Sequence, residues 1–399
     1  MKIRINFIAC YIFSFFVSGT LFADSFYSTI GIGIPIYHIS AKANGMGGAG
    51  LALFDRLSLN GMNPAAINTQ SLTSISVDYV YEMVDHRYQG QSVQSRFGNA
   101  AGFQFVVPLK QELVFLTSLK PLAFSRYTLS DEQNIGEESY QRLIRGTGGL
   151  NAAQIGLQVI LTKWCAIAVQ GRYHFGNYSE DWKTDFENID FIDTTDKITS
   201  HLRGWGANFG VAMKPSKSWA IGIIGSPAVK LNVDNRATLG SYKRTVGQDH
   251  RITYPATLGL GLAKTIGKVT IAGDYFMQFW SKYRMDGQRA DGYQDFRRMG
   301  GGIEYVDSTD PMVKYLRRIL YRIGTHYAQL PYKNSADEPI DEFFVTAGLG
   351  FPFSINNGRI DIALELGQRN LQSSNVMQER IIRFSATITG LELWFQTRR

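Results

Sequence analysis

From Leu72 onward the chain alternates apolar and polar residues with a period of two, and this alternation recurs in segment after segment. In the first segment Ile75 and Val77 fall on one face, whereas Ser76 and Asp78 fall on the other. Successive side chains of a β-strand point to opposite faces, so each segment predicts a strand with one apolar and one polar side. No window after the N-terminal region has the roughly 18 consecutive apolar residues that predict a transmembrane helix.

The connections between these segments alternate in length. We count about fourteen strands, and short turns such as 110–112 and 162–163 follow the even-numbered ones. Longer polar connections, such as 85–97 and 181–195, follow most odd-numbered strands. Outer-membrane barrels have short periplasmic turns and long external loops. The sequence therefore predicts an all-β fold, a transmembrane antiparallel β-barrel over 72–399, in which closure leaves no unpaired sheet edge in lipid.

The N-terminus predicts a secretory signal peptide over 1–23. Lys2 and Arg4 form its charged region, 7–17 is apolar, and Ala23 precedes a plausible cleavage point. The alternative, a short membrane anchor, is less favoured because the apolar run is shorter than the ~20 residues that span a bilayer. An exported barrel is expected in the bacterial outer membrane.

Charge and cysteine content restrict the partners of the mature chain. The formal net charge is +7, and removal of Lys2 and Arg4 with the signal leaves +5. The excess of positive charge is scattered, which argues against nucleic acid as a partner. After cleavage Cys165 is the only cysteine, so no intrachain disulfide is expected.

Residues 24–71 lack sustained alternation and are rich in small residues. A Gly-rich stretch contains Gly45, Gly47, Gly48 and Gly50, and Asn63, Pro64 and Ala65 follow it. A barrel of about fourteen strands is too wide to be filled by its own side chains and too narrow for a wide channel. We therefore predict that 24–71 forms a hatch inside the lumen. Short helices are expected at 50–54 and 64–68, the second with Asn63 as N-cap and Pro64 at the first helical position.

The motifs that would indicate chemistry lack their structural context. The Gly-rich stretch matches G-x-G-x-x-G, but no βαβ unit follows it, and there is no G-K-[ST] phosphate loop. The six histidines have no metal-ligand spacing, and there is no G-x-S-x-G elbow. We expect no cofactor, no metal and no enzymatic activity, although a barrel enzyme such as a phospholipase stays open as an alternative.

Basic residues on the polar side of the strands are candidate ligand contacts. Arg172, His174, Arg369 and Arg383 face the predicted lumen and are suited to an anionic head group. The alternative is an internal ion-pair network that stiffens the wall. Pro121 interrupts a predicted strand, where it either kinks the wall and opens a lateral gap or marks a strand end near the rim.

With these residues in view, the chain resembles the FadL-type outer-membrane transporters of long-chain fatty acids and aromatic hydrocarbons. The resemblance rests on 45–50 and on Asn63-Pro64-Ala65, and is supported by the signal, the strand number and an aromatic-rich last strand at 377–395. Ala66 stands where that family commonly has Gly. The Gly-Met-Gly-Gly-Ala stretch is also similar to the outer-membrane component of the type IX secretion pathway.

The FadL-type resemblance implies passive uptake of a hydrophobic small molecule. The molecule would be captured in the lumen, and a hatch rearrangement would release it sideways into the membrane. The similarity to the secretion component implies the alternative of a scaffold or shuttle for exported proteins. The expected partners are a hydrophobic ligand, outer-membrane lipid and the barrel assembly machinery during biogenesis, with the chain acting as a monomer.

Overall fold

The structure is a computed structural model, and it describes residues 25–37, 40–67, 72–135, 138–186, 193–240, 244–334, 336–353, 357–371 and 376–392. The predicted signal peptide and the aromatic end of the last strand lie outside these residues. Among the described residues, no helix is both long and apolar enough to cross a membrane.

Fourteen antiparallel wall strands form one closed barrel. Each pairs with its neighbours in sequence, and the last pairs with the first from Gln378 opposite Arg87 to Glu392 opposite Thr73. The strand segments of the described residues are β1 (Ile34–Pro35), β2 (Thr73–Tyr88), β3 (Gln91–Lys110), β4 (Leu113–Ile135), β5 (Glu138–Thr162), β6 (Cys165–Phe186), β7 (Thr194–Met213), β8 (Trp219–Ser226), β9 (Val229–Leu239), β10 (Arg244–Tyr254), β11 (Thr257–Ile266), β12 (Val269–Gln278), β13 (Arg284–Met285), β14 (Gln288–Arg289), β15 (Phe296–Val306), β16 (Leu320–Lys333), β17 (Pro339–Phe353), β18 (Gly358–Arg369) and β19 (Gln378–Glu392). In the wall, β8 with β9 and β10 with β11 each count as one strand, and the short β1, β13 and β14 are additional to the fourteen.

Two wall strands are broken into halves. We expected single strands over 218–231 and 239–264, but the first divides into β8 and β9 and the second into β10 and β11. Pro227 and Pro255 lie at the two breaks. Proline lacks the N–H that a continuous ladder needs, so both strands bend at this height. The short β13 and β14 form a hairpin above β12, and β13 pairs with β10.

The two faces of the wall have opposite chemistry. Val77 and Val345 on the outer face are 47% and 49% exposed, whereas Asp78 and Glu365 on the inner face are fully buried. The apolar residues thus face outward and the polar ones face the lumen, the reverse of a soluble protein. This arrangement confirms the predicted transmembrane barrel of the outer-membrane type, and the chain is an outer-membrane protein.

Residues 25–37 and 40–67, hereafter the inner segment, pack inside the barrel. Their helices are α1 (Ala41–Gly45) and two 3₁₀ turns, Phe26–Thr29 and Pro64–Ala66. The expected cap is present, because the Asn63 side chain accepts a hydrogen bond from Ala65 N at 3.0 Å. The helix expected at 50–54 is wrong: the chain makes a single turn there, in which Leu53 N donates to the Gly50 carbonyl at 3.1 Å.

Candidate functional site

The Gly-rich turn of the inner segment fits against the wall because it carries no side chains at its two tightest points. Gly47 and Gly48 have φ of +64° and +69°. A Cβ on Gly48 would lie 1.6 Å from the Arg298 guanidinium, which donates hydrogen bonds to both glycine carbonyls at 3.1 and 3.2 Å. Only glycine combines this backbone conformation with so close an approach. The Gly45 carbonyl, just before this turn, accepts from Thr346 Oγ1 of β17, a second wall strand.

Further polar contacts tie the inner segment to other sides of the barrel. Asn63 Nδ2 donates to the carbonyl of Val211 on β7 at 3.0 Å. Asp274 on β12 accepts from Gly50 N and from Leu51 N at 2.6 and 2.8 Å. The Ala65 carbonyl accepts from Gln158 on β5 at 2.7 Å. The segment therefore bridges the lumen from wall to wall instead of lying along one side.

A buried ion cluster joins the inner segment to the wall at the end with the short turns. Asp55 accepts from Lys42 at 2.5 Å and lies 2.7 Å from Arg359 of β18. Although burial alone would raise the pKa of the Asp55 carboxyl, the charges of Arg359 and Lys42 hold it well below its usual range. Lys42 also approaches Glu304 of β15 at 3.7 Å. Removal of any one member would leave a buried charge without its partner.

The predicted luminal basic residues divide into two groups. Arg369 pairs with Glu379 at 2.5 Å and with Glu342 at 3.1 Å. Arg383 pairs with Glu82 at 2.6 Å and with Glu365 at 3.4 Å. These two arginines therefore belong to an internal ion-pair network, the alternative interpretation of their pattern.

Arg172 and His174 lie elsewhere, near β4. His174 is fully buried, with its ring 5.6 Å from that of Tyr254. Within the described ranges, Arg172 has no carboxylate at ion-pair distance. Its partner is the Gln154 side chain, whose amide is oriented so that the nitrogen donates to Ser118 Oγ and the oxygen accepts from Arg172 Nε at 2.7 Å. Arg172 and Lys120 line a cavity of about 60 Å³ beside Pro121.

The wall has a lateral gap between β3 and β4. Their ladder begins at Lys110 opposite Leu113 and ends at Phe103 opposite Leu119. Beyond this point β3 pairs only with β2, and β4 continues to Ile135 against β5. In the described residues only side chains cross the upper part of the gap, where the rings of Phe97 and Phe124 stack at 6.0 Å.

Pro121 lies at the lower end of this gap. It is two positions after Leu119, the last residue of β4 that pairs with β3. A bulge in the pairing of β4 with β5 falls between Pro121 and Ala123. A proline at a strand edge removes a donor that a neighbouring strand would need. Pro121 is in the middle of β4, so it does not mark a strand end near the rim.

The inner segment covers the free edge of β4. Its β1 pairs with this edge, with Ile34 opposite Phe124 and Pro35 opposite Ala123. On either side of β1, Ile36 N donates to the Leu122 carbonyl at 2.8 Å and Ser25 N donates to the Arg126 carbonyl at 3.0 Å. The N-terminal part of the chain thus takes the hydrogen bonds that β3 would otherwise make. Apart from an apolar run around Ile34, no sequence pattern indicates this pairing.

A cavity of about 310 Å³ lies directly behind the gap. Part of its lining is apolar and comes from both margins of the gap and from the inner segment. The rest is polar and comes from Asn99 and Arg126 at the two margins and from the charged network of the lumen. The apolar lining includes Ile34, Ile36, Phe97, Ala101, Ala123 and Phe124, and the polar lining includes Asn44, Glu82, Arg298, Glu342, Arg369 and Arg383. The cavity is therefore amphipathic and adjoins the wall opening. Among the described residues, no group of His, Cys, Asp and Glu side chains is arranged to hold a metal ion.

Comparisons with known proteins place the chain among barrels of this architecture. A family model described as BamG matches residues 1–399. No curated protein matches the chain. A FadL homologue of Pseudomonas aeruginosa is 14% identical with a TM-score of 0.63, covering 90% of this chain and 99% of its own. The toluene transporter TbuX of Ralstonia pickettii is 14% identical with a TM-score of 0.59, covering 89% and 98%.

A third similar structure is the toluene transporter TodX of P. putida, at 15% identity and a TM-score of 0.58, covering 90% of this chain and 100% of its own. At these identities the similarity shows a shared fold. It confirms the FadL-type resemblance at the level of architecture.

Proposed function

The chain belongs to the BamG family, and from its FadL-like fold and open wall we propose that it is a passive outer-membrane channel for hydrophobic or amphipathic small molecules. The observation that carries this proposal is the lateral gap above Phe103 and Leu119, with an amphipathic cavity directly behind it. An apolar molecule gains nothing by crossing water, so an exit through the wall into the bilayer suits such a substrate. The FadL homologue, TbuX and TodX share this fold.

The proposed route involves binding and release, with no bond made or broken. A ligand enters from the side with the long loops and rests with its apolar part against Phe97 and Phe124. A polar or anionic end meets the arginines of the polar lining, or Arg172 and Lys120 in the smaller cavity next to it. Long-chain fatty acids fit this whole description, and hydrocarbons use its apolar part alone.

Release requires the inner segment to act as the hatch. Because β1 occupies the free edge of β4, it must detach before a ligand passes between β3 and β4. Detachment breaks the two-residue ladder and the flanking hydrogen bonds from Ser25 N and Ile36 N, which are few compared with those of the long ladder between β4 and β5. The chain is proposed to work as a monomer in contact with outer-membrane lipid, and to be inserted by the barrel assembly machinery.

A cross-link tests whether β1 must move. In a Cys165→Ser background, Ile34→Cys with Phe124→Cys places two cysteines at directly paired positions, where strand spacing suits a disulfide. We expect the oxidised protein to lose uptake of a labelled long-chain fatty acid or hydrocarbon in cells, and reduction to restore it. The matched control is Phe105→Cys with Thr117→Cys, a directly paired position in the intact part of the β3–β4 ladder, which should not affect uptake.

Equal uptake by the oxidised and reduced forms of the Ile34–Phe124 pair would contradict the proposed route. Such a result, together with an empty cavity in the purified protein by mass spectrometry, would favour the alternative of a scaffold or shuttle for exported proteins.

A further inference from the structure

The outer face of the barrel carries a cationic cluster that the transport route does not use. Arg203 of β7, Lys230 of β9 and Arg251 of β10 are all exposed. On each strand a flanking residue is buried in the main core, which fixes the three cations on the opposite, outward side. These buried residues are Leu202, Leu231 and Ile252.

The strand register brings the three cations together. Arg203 pairs with Asn232, and Asn232 pairs with Arg251, so all three residues lie in one row across adjacent strands. Lys230 lies two residues from Asn232 on the same strand and opposite Thr253. With strands about 4.8 Å apart and about 3.4 Å per residue, the two arginines are about 10 Å apart and Lys230 lies about 7 Å below the point between them.

The cluster has no carboxylate partner at ion-pair distance among the residues that the structure describes. Three carboxylates lie close to the cluster. Asp234 pairs with Arg236 at 3.2 Å, Asp286 pairs with His250 at 2.6 Å and accepts from Arg251 N at 2.7 Å, and Asp249 lies opposite Asp234. An open concavity of about 710 Å³ lies against the cluster, and its lining includes these acids as well as Arg203, Lys230 and Arg251. The three cations therefore face an open space without an ion-pair partner, with the acids beside them.

The cluster lies where the lipid-facing surface ends. Trp205 follows Arg203 on the outer face and is 74% exposed, and Phe209 lies further down the same strand. On β11, which β8 separates from β7, Leu258 is also exposed, below the break at Pro255. An exposed Trp between charged and apolar residues is typical of the membrane–water interface. The short turns are at the opposite end, so this interface belongs to the outer leaflet.

We propose that Arg203, Lys230 and Arg251 bind the phosphate groups of an acylated phosphoglycolipid of the outer leaflet, with its acyl chains on Trp205 and Leu258. Arginine pairs with phosphate through two parallel hydrogen bonds, and lysine adds a point charge. The continuity of the cationic cluster with the apolar belt selects a lipid rather than a free anion, because the two parts of the surface match the two parts of one molecule.

Native mass spectrometry of the delipidated full-length protein in detergent tests the proposal. The probes are purified bis-phosphorylated lipid A and its dephosphorylated form. Each cation near a membrane surface contributes roughly a fivefold gain in affinity for anionic lipid. We therefore expect the wild type to bind the phosphorylated form at least about tenfold more tightly, and Arg203→Gln/Lys230→Gln/Arg251→Gln to lose that preference. The single variant Lys230→Gln should lose about fivefold.

The control variant Lys110→Gln/Lys163→Gln/Lys217→Gln removes the same charge from exposed turns at the other end of the barrel, and should retain the preference. Heat-dependent gel mobility verifies that each variant is folded, and the single variant serves if the triple variant is not. Equal binding of the two lipids, or an unchanged preference in both cluster variants, would overturn the proposal. Inorganic phosphate that competes as well as the lipid would also overturn it, since a free anion would then suffice.

Discussion

At the scale of single residues, the inner segment is held by positions where only one side chain is tolerated. Gly48 admits the Arg298 guanidinium, and Asn63 uses its oxygen for its own turn and its amide for the wall. The sequence singled out both residues, because a glycine cluster and an Asn-Pro pair are local signals. It did not identify Arg298, whose role depends on a contact 250 residues away in the chain.

Gly48→Ala should destabilise the folded protein by about 3–5 kcal/mol. Two costs add up. A residue with a Cβ is strained in a left-handed backbone conformation, and the displaced Arg298 guanidinium loses its hydrogen bonds while buried. Gly90→Ala is the matched control, since Gly90 also has a positive φ of +81° but a Cβ placed there would have no atom within 4 Å. It should cost only about 1–2 kcal/mol. Denaturant unfolding in lipid vesicles measures both, and equal losses would contradict the packing argument.

At the scale of strands and helices, alternation predicted the wall well and predicted its irregularities poorly. A strand between lipid and a polar lumen has a strong period of two, as in β2 and β18. The breaks at Pro227 and Pro255 were missed although proline is a local signal, because the alternation resumes on both sides. Helix α1 was not predicted, because its five residues are small or polar and show no apolar periodicity. Ser40 is its N-cap and accepts a hydrogen bond from Ala43 N.

The pairing of β1 with β4 could not be predicted from the sequence, since two residues give no pattern and their partners lie about ninety positions away. The same holds for the luminal arginines. Arg172 and Arg383 look alike in sequence, but Arg383 meets two glutamates and Arg172 meets a glutamine. Partner identity depends on the strand register, which alternation does not determine.

Hydrogen exchange should reveal the free edge of β3. Alternate residues of an antiparallel strand direct their N–H groups to opposite neighbours, so about half of the amides over 92–102 face the gap without a strand partner. These amides should exchange much faster than those over 103–106, where β3 pairs on both sides. The measurement is exchange followed by mass spectrometry in nanodiscs. Uniform protection along β3 would show that the ladder is continuous and that there is no gap.

At the scale of the whole molecule, long-range contacts join both the wall and the inner segment. The wall closes through the long β2–β19 ladder. The inner segment crosses the lumen, and hydrogen bonds and the ion cluster around Asp55 attach it to many strands. The folded-state pKa of Asp55 is depressed, so its contribution to stability is complete above the unfolded pKa of about 3.9 and is lost only as the pH falls below it.

Asp55→Asn should therefore open the lumen at neutral pH. It leaves Lys42 and Arg359 buried with one fewer carboxylate, which typically costs about 3–5 kcal/mol. We expect the wild type to show little ion conductance in planar bilayers from pH 7 down to about pH 4, and the variant to conduct in bursts at pH 7.

The control for this prediction is Asp307→Asn. Hydrogen bonds from Arg317 and Lys268 lower the pKa of Asp307 to about 2, but the carboxyl is half-buried on a connection between wall strands and bonds no residue of the inner segment among the described contacts. Its conductance should equal that of the wild type. A closed Asp55→Asn channel at neutral pH would show that the other contacts suffice to hold the segment.

The covering of β4 by the chain's own N-terminal residues also bears on solubility and aggregation. A barrel is protected from strand addition because it has no edge, and any opening in its wall creates one. Without the inner segment, the carbonyls of Leu122 and Arg126 would be unpaired, and an extended segment of another chain could bind to them. Since Ser25 and Ile36 already accompany β1 along this edge, the β4 side of the opening is protected from edge-to-edge association, and the β3 side is the edge that stays free.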